Sequence, residues 1–281
     1  MTAEVGPDGA PRGSNAVTPW WSFTKTLIAA ATMRLAERRQ VLLDSAIEGI
    51  GATPRALLLH RAGLPDYGWL PAYHAAVRRG DEPWPEDTML AALPARFAAG
   101  HFSYSNVGYL HLRRLIERAT NAPFAMALHD LLLAPLGLSA RVACGRDAMV
   151  ACAIPADRIY HPGWVYHGLV VGPVADAALA LHRILMSDFL TPSSRAAMLQ
   201  AVPVEAPIEG RPWATTGYGL GLMIGTMCSG KQRIAVAGHS AGAPGSAGAV
   251  YQAAGRTVAV FTPGPGEARA EHAVARRLAQ G

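Results

Sequence analysis

The change in hydrophobic pattern near residue 215 constrains the fold of this chain more than any other feature. After it, apolar and alternating segments predict strands at 217–225, 232–238, 247–253 and 256–262. Helical periodicity predicts the other elements, over 22–39, 86–98, 107–120, 123–135, 173–187, from 191 onward and 266–279. Strands gathered at one end of the chain predict a sheet covered by helices, beside a mostly helical region.

The composition is that of a globular chain without a nucleic-acid surface. With 281 residues, 51% of them hydrophobic and 16% charged, the chain can bury the core of one or two domains. The net charge is +5, but the arginines are scattered and no basic stripe carries interleaved aromatic residues. We therefore expect no nucleic-acid partner.

The three cysteines and ten histidines form no pattern typical of a disulfide set or a metal site. Unpaired cysteines are typical of a reducing compartment. The chain also lacks an export signal and any apolar run of about 18 residues, the length that a membrane helix needs. We expect a cytoplasmic protein that binds no membrane, metal or cofactor.

A serine and a lysine, Ser22 and Lys25, lie one turn apart at the start of the first predicted helix. Because residues three apart share a helix face, a neutral Lys25 amine can take the proton of the Ser22 hydroxyl. A surface lysine beside a helix-capping serine is the alternative. Function is favoured because only two of the 25 Lys and Arg residues are lysine, and a buried lysine, unlike arginine, can lose its proton.

Two further segments carry side chains suited to a cleft. Tyr104 and Asn106 precede a predicted helix, from where a phenol and an amide can point into one site. The alternative is a packed tyrosine beside an asparagine that caps the helix. His239 ends a predicted strand and is followed by small residues, which let a substrate lie along the strand edge. A structural histidine is the alternative there.

In this order, the three segments resemble the motifs of the serine hydrolase superfamily of penicillin-binding proteins and class C β-lactamases. The segment from Ser22 to Lys25 resembles Ser-x-x-Lys, and that from Tyr104 to Asn106 resembles Tyr-x-Asn. His239 begins the segment that stands where the family has Lys-Thr-Gly or, in its esterase and D-aminopeptidase branches, His-x-Gly. The resemblance implies an α+β fold of the β-lactamase/transpeptidase type, with an antiparallel sheet flanked by helices. The sheet domain would comprise residues 1–60 and 205–281, the helical domain residues 61–204, and the active site would lie between them.

The resemblance also implies an acyl-enzyme mechanism. Ser22 would attack an ester or amide carbonyl, while Lys25 and Tyr104 would share the proton transfer in an order that the sequence leaves open. Backbone N–H groups of Ser22 and Gly242 would form the oxyanion hole. The residues that would bind the substrate or line its pocket are Asn106, His239, Gly242, Trp164 and His167. Aromatic residues in the Trp164 segment have a core role as their alternative.

Two features depart from the family pattern. Ala241 stands where the third motif has glycine, and a Cβ at this position is expected to crowd the site or tilt the strand. Only 21 residues precede Ser22. We therefore expect a shortened N-terminal part, with a smaller sheet or one completed by a partner chain.

Ser240 carries a rival interpretation, because it lies in a Gly-x-Ser-x-Gly segment, the nucleophile elbow of α/β-hydrolases. The residues after it contain no aspartate and leave too little room for the strands of that fold. A family member that binds a ligand without turnover is a further alternative, as is a β-lactamase or a D-amino-acid peptidase or amidase.

Small esters are the favoured substrates, because His239 replaces the permanent cation that would pair with a β-lactam or peptide carboxylate. The expected partner is a small-molecule ester, amide or lactam, and a homo-oligomer is left open.

Overall fold

The computed structural model describes residues 1–204 and 209–280, whose strands form two antiparallel sheets. In chain order the described strands are β1 Thr2–Val5, β2 Pro11–Gly13, β3 Val17–Pro19, β4 Arg141–Val142, β5 Val170–Pro173, β6 Val202–Pro203, β7 Trp213–Tyr218, β8 Met223–Ser229, β9 Gln232–Gly242, β10 Ser246–Ala253 and β11 Arg256–Pro263. The larger sheet has the spatial order β2-β1-β11-β10-β9-β8-β7-β6, and the smaller one β3-β5-β4. The predicted α+β class with an antiparallel sheet is confirmed.

Ten α-helices lie in the same described ranges. They are α1 Thr24–Glu37, α2 Pro54–Leu58, α3 Pro71–Arg79, α4 Glu86–Ala91, α5 Asn106–Thr120, α6 Phe124–Leu128, α7 Pro155–Arg158, α8 Val174–Met186, α9 Pro192–Leu199 and α10 Ala268–Leu278. Helix α1 is buried along most of its length, as expected of a helix that is apolar nearly all round. No helix in these ranges is long and apolar enough to cross a membrane.

Helices cover both faces of the larger sheet, and the alternation of side chains along β11 explains how. Ala259 and Phe261 point into the main core with α8, whereas Val258 and Val260 join a second cluster with Val274 of α10. Successive residues of a strand face opposite sides, so an uninterrupted apolar strand needs a cover on each side. This arrangement places β9 and its motif in the centre of a two-sided sheet.

Several predicted boundaries move for local reasons. The segment 217–225 is not one strand, because β7 ends at Tyr218, β8 begins at Met223 and a turn joins them. Gly221 in this turn has a φ of +73°, and a Cβ on Gly219 would lie 2.1 Å from the Met198 carbonyl oxygen. The helix predicted at 86–98 ends at Ala91. Helices at 107–120, 173–187, 191 onward and 266–279 are confirmed to within two residues.

The residues before Ser22 contribute three strands. Strand β1 pairs with β11, and β2 pairs with β1, so the N-terminal segment extends one side of the larger sheet. The Met1 ammonium group also donates a hydrogen bond to the Phe261 carbonyl, at 2.8 Å. The larger sheet thus gains two strands from the N-terminal segment, where the sequence had predicted a smaller sheet or one completed by a partner chain. The division into domains 1–60 with 205–281 and 61–204 stays a prediction.

Candidate active site

Ser22 lies in a 3-10 turn, Trp21–Phe23, that leads directly into α1. The residue before it, Trp21, has a φ of +41°, an unusual conformation for a bulky side chain. Its indole is buried and donates a hydrogen bond to Ser246 Oγ at 2.9 Å. This contact anchors the strained turn and leaves the Ser22 side chain on the wall of two cavities.

Lys25 is the buried base candidate next to this serine. Its Nζ lies 3.3 Å from Ser22 Oγ, 2.7 Å from Asn106 Oδ1 and 3.2 Å from His167 Nε2. Burial lowers the pKa of Lys25 to about 7, against the opposing effect of the Asp66 carboxylate. A lysine with this pKa is in part neutral near pH 7 and is then able to accept a proton.

Asp66 orients Asn106 and was missed by the sequence analysis. Its carboxylate accepts hydrogen bonds from the Asn106 backbone N–H and from Asn106 Nδ2, the latter at 3.2 Å. With its amide nitrogen held there, Asn106 turns its Oδ1 atom to Lys25. Asp66 also accepts from the Gly68 N–H at 2.6 Å, a local turn that Pro-Asp-x-Gly sequences favour. The turn was visible in the sequence, but its distance from Asn106 was not.

Tyr104 lies close to both Ser22 and Lys25. Burial raises the pKa of Tyr104 well above the ordinary value for a phenol, against the smaller opposing effect of the nearby Ser22 side chain. The Tyr104 ring packs against His60, with ring centroids 4.3 Å apart, and Lys25 Nζ lies 5.0 Å from the Tyr104 ring centre. Tyr104 is therefore protonated at neutral pH and lies next to both Ser22 and Lys25.

His239 lies on β9 as a neutral imidazole. Its Nδ1 donates to the Ser240 carbonyl, so Nε2 is the acceptor for the Tyr218 hydroxyl at 2.9 Å. Burial, with a further effect of Lys25, lowers the pKa of His239 to about 3. The third motif therefore presents no cation to the site at neutral pH.

The geometry of β9 and β10 shows where the Gly242 N–H points. The hairpin closes with a hydrogen bond from the Ala243 N–H to the Ser246 carbonyl at 3.0 Å. Hydrogen-bonded and non-hydrogen-bonded pairs alternate along an antiparallel ladder, so the next pair, Gly242 with Ala247, is a non-hydrogen-bonded one. The Gly242 N–H must point away from β10, as does that of Ser240, which reaches Met223 Sδ at 3.5 Å. In the described chain β8 pairs with β9 only as far as Gly238, so the Gly242 N–H faces the cavity edge. Ala241 is buried in the main core.

Two cavities meet at the nucleophile. The smaller, of about 230 Å³, and the larger, of about 440 Å³, share Ser22, Asn106 and Gly242 on their walls. Tyr104 and His239 line the larger cavity, and His167 lines the smaller one. A substrate carbonyl at Ser22 would thus have its two substituents in two separate spaces.

Trp164 lies outside these walls as the structure describes them. Its indole N–H donates to the Asp81 carbonyl at 3.1 Å, and its ring packs edge-on against Tyr73 and Trp84. Trp164 is 1% exposed. Of the two aromatic candidates in this segment, the structure brings His167 to the site and places Trp164 in the core.

Ser240 is not at a strand-to-helix turn, which contradicts the nucleophile-elbow interpretation. It lies within β9, opposite Ala249 of β10. Its hydroxyl donates to the buried Glu271 carboxylate and contacts the Tyr251 hydroxyl at 2.7 Å. Among the described residues, no group of three or more His, Cys, Asp or Glu side chains is arranged to hold a metal ion.

Known structures share this fold over nearly the whole chain. A D-stereospecific amidohydrolase from Streptomyces sp. is 21% identical, with a TM-score of 0.77 over 93% of this chain and 88% of that one. D-amino acid amidase from Ochrobactrum anthropi SV3 is 20% identical, with a TM-score of 0.77 over 100% and 94%. The octameric penicillin-binding protein homologue from Pyrococcus abyssi is 20% identical, with a TM-score of 0.74 over 99% and 73%. No curated protein sequence matches this chain.

The sheet, the helices around it and the Ser-x-x-Lys turn define the serine hydrolase superfamily of penicillin-binding proteins and β-lactamases, as the sequence had predicted. The Beta-lactamase family model matches residues 4–281. The chain belongs to the Beta-lactamase family.

Proposed function

We propose that this protein is a serine hydrolase that forms an acyl-enzyme on Ser22 and cleaves small carboxylic esters. The observation that carries the proposal is the Lys25 amine, fully buried, with a pKa lowered to about 7 and 3.3 Å from Ser22 Oγ. A general base works best when its pKa is near the working pH. A lysine on the protein surface beside a helix-capping serine would remain exposed to water instead of being buried.

The protons can be followed through the three side chains. Lys25 is the first base, because Tyr104 stays protonated when burial raises its pKa. As Ser22 Oγ bonds to the carbonyl carbon, its proton passes to Lys25, and Tyr104 donates to the leaving oxygen while Lys25 returns a proton to Tyr104. The N–H groups of Ser22 and Gly242 would stabilise the oxyanion. Water then attacks the acyl group, with the same side chains acting in reverse, and releases the acid.

Esters are favoured over anionic lactams by the charge of the third motif. His239 is neutral and buried, so the cavity lacks the cation that would pair with a lactam or peptide carboxylate at this position. Hydrolysis of D-amino-acid amides is the second candidate. It is supported by the fold shared with a D-stereospecific amidohydrolase and a D-amino acid amidase. The octameric homologue with this fold supports a homo-oligomer as part of the proposal.

Covalent labelling tests the nucleophile. A fluorophosphonate probe is expected to label the wild type and Ser240→Ala on Ser22, and to leave Ser22→Ala unlabelled, as read by intact mass and by the mass of the labelled peptide. Ser22 reacts because the buried Lys25 amine contacts its hydroxyl. Label on Ser240 would assign the nucleophile to β9 instead. A folded wild type that takes no label and cleaves no ester would point to a protein that binds without turnover.

Relative rates test the substrate class. The kcat/KM values of short-chain aryl esters are expected to exceed those of penicillins and nitrocefin, because the carboxylate of a lactam finds no free cation beside His239. A D-amino-acid amide is measured in the same series. If nitrocefin is cleaved faster than every ester, the protein is a β-lactamase. If the D-amino-acid amide is cleaved faster than every ester, it is an amidase.

A further inference from the structure

The larger cavity has a carboxylate on its wall that the mechanism does not use. Glu267 lies just before α10, partly exposed, and a Cβ built on Gly242 would lie 2.9 Å from its Oε1. In the described part of the chain no Lys, Arg or His nitrogen lies within 4.0 Å of this carboxylate. Residues 205–208, Glu-Ala-Pro-Ile, contain no basic side chain that could supply one. The Glu267 charge is therefore free to pair with a ligand.

The other ionisable groups of this cavity leave a net negative charge, although Glu267 acts on Arg211 and raises its pKa. Arg211 is held by Glu271, with its Nε 2.7 Å from Glu271 Oε2 in a two-point pair, so its charge is already matched. His239 is neutral because burial lowers its pKa to about 3. The larger cavity thus carries an unpaired negative charge next to the expected oxyanion hole, which favours positively charged ligands and disfavours anions.

Aromatic rings complete the surroundings of a cation. Phe102, Trp213 and Tyr218 line the same cavity as Glu267. The faces of aromatic rings attract ammonium groups, most strongly where water is excluded. The carboxylate and the rings together suit a quaternary ammonium group or a protonated amine.

The position of Tyr104 indicates which part of the substrate meets Glu267. Tyr104 donates the proton to the leaving oxygen or nitrogen. Among the described residues of the two walls, Tyr104 belongs to the larger cavity and not to the smaller one. The leaving group must therefore depart into the larger cavity. The acyl group then occupies the smaller one, among Trp21, Tyr67 and Tyr160.

We propose that Glu267 selects substrates whose leaving group carries a cationic amine, such as esters of amino alcohols. The inference rests on the proposed function and adds the charge of the departing group. The bond from the carbonyl carbon to the alcohol oxygen breaks, and that oxygen receives the proton originally on Ser22, by way of Lys25 and Tyr104. The alcohol leaves with its ammonium group unchanged. Water then releases the acid, which regenerates Ser22.

An isosteric pair of esters isolates the charge. Butyrylcholine and 3,3-dimethylbutyl butyrate differ by a quaternary nitrogen in place of a quaternary carbon, so their ratio of kcat/KM measures the preference for a cation at nearly constant shape. Acid release is followed at constant pH. The wild type is expected to prefer the choline ester, and Glu267→Gln to lower that ratio by about 10- to 100-fold, mainly through KM, because the Coulombic attraction to the ammonium group is lost. Glu267→Lys is expected to invert the preference.

Glu48→Gln is the matched control, because it removes an exposed carboxylate that lines neither cavity at Ser22. It is expected to keep the wild-type ratio. A ratio that is the same in the wild type, Glu267→Gln and Glu267→Lys overturns the inference while ester hydrolysis and the label on Ser22 still support the proposed function. A wild type that cleaves neither ester and takes no label on Ser22 overturns both.

Discussion

Lys25→Met is expected to lower turnover by orders of magnitude and, at neutral pH, to make the folded protein more stable. The variant removes the only amine in contact with Ser22 Oγ in the described site, and loss of a general base lowers kcat by about 10²- to 10⁴-fold. Methionine keeps the length of the side chain among the apolar residues of α1, without the charge. Ester hydrolysis and denaturant unfolding of the same preparations measure the two effects.

The gain in stability has a defined pH dependence. Burial lowers the pKa of Lys25 from 10.5 to about 7 on folding. Above pH 7 the unfolded wild type binds a proton that the folded protein has released, so its free energy of unfolding rises with pH up to the pKa of the unfolded chain. At about 1.4 kcal/mol per pKa unit, the penalty below pH 7 is at most on the order of 5 kcal/mol. The advantage of Lys25→Met should therefore be largest below pH 7 and shrink towards pH 10.

Lys231→Met is the control, because Lys231 is the other lysine of the chain and is exposed at the turn between β8 and β9. It receives the same substitution without losing a buried charge, and both turnover and stability are expected to match the wild type. Turnover of Lys25→Met within tenfold of the wild type would remove Lys25 from the mechanism. If the unfolding free energies of the wild type and Lys25→Met changed in parallel from pH 6 to 10, folding would not lower the pKa of Lys25.

The geometry of the candidate site was predictable because its parts are local or follow the motif order of the family. Ser22 and Lys25 meet through helix geometry alone, so their 3.3 Å contact follows from a spacing of three. Tyr104 and His239 lie far away in sequence, and no periodicity brings them to Ser22. Their place followed from the resemblance to the family, and the structure puts both on the wall of the larger cavity.

The features that escaped prediction depend on contacts between distant segments. Asp66 stands in a recognisable turn, but its role arises only where it meets Asn106, 40 positions along the chain. Strand β1 is four residues long and is held by β11, at the other end of the chain. Trp164 and His167 occupy one aromatic segment, and only the fold decides that one contacts Asp81 and the other Lys25.

Glu271→Leu is expected to have the largest effect on stability. The Glu271 carboxylate is fully buried and accepts hydrogen bonds from Arg211, from Trp213 Nε1 at 3.1 Å and from Ser240 Oγ. Its removal leaves the largely buried Arg211 guanidinium and the Trp213 indole N–H without their acceptor, and breaking a buried ion pair from one side costs about 3–5 kcal/mol. The free energy of unfolding in urea measures this loss.

An exposed ion pair supplies the comparison. Asp44→Asn breaks the pair between Asp44 and Arg55, whose side chains are 72% and 38% exposed, and exposed pairs contribute about 0–1 kcal/mol. If Glu271→Leu were as mild as Asp44→Asn, the network around Ser240 would not hold β9 in place.

The double variant Arg211→Met/Glu271→Leu separates the buried charge from the loss of packing. Removing Arg211 as well eliminates the unpaired cation, so the double variant is expected to be more stable than Glu271→Leu alone. Recovery in the double variant would attribute the loss to an uncompensated charge. If the two changes simply added, the loss would come from the hydrogen bonds of Trp213 and Ser240. In both cases the Ser240 hydroxyl links β9 to Glu271 of α10, and β9 also carries Gly242, whose N–H we propose for the oxyanion hole. This structural contact accounts for a serine at position 240 without any part in nucleophilic attack.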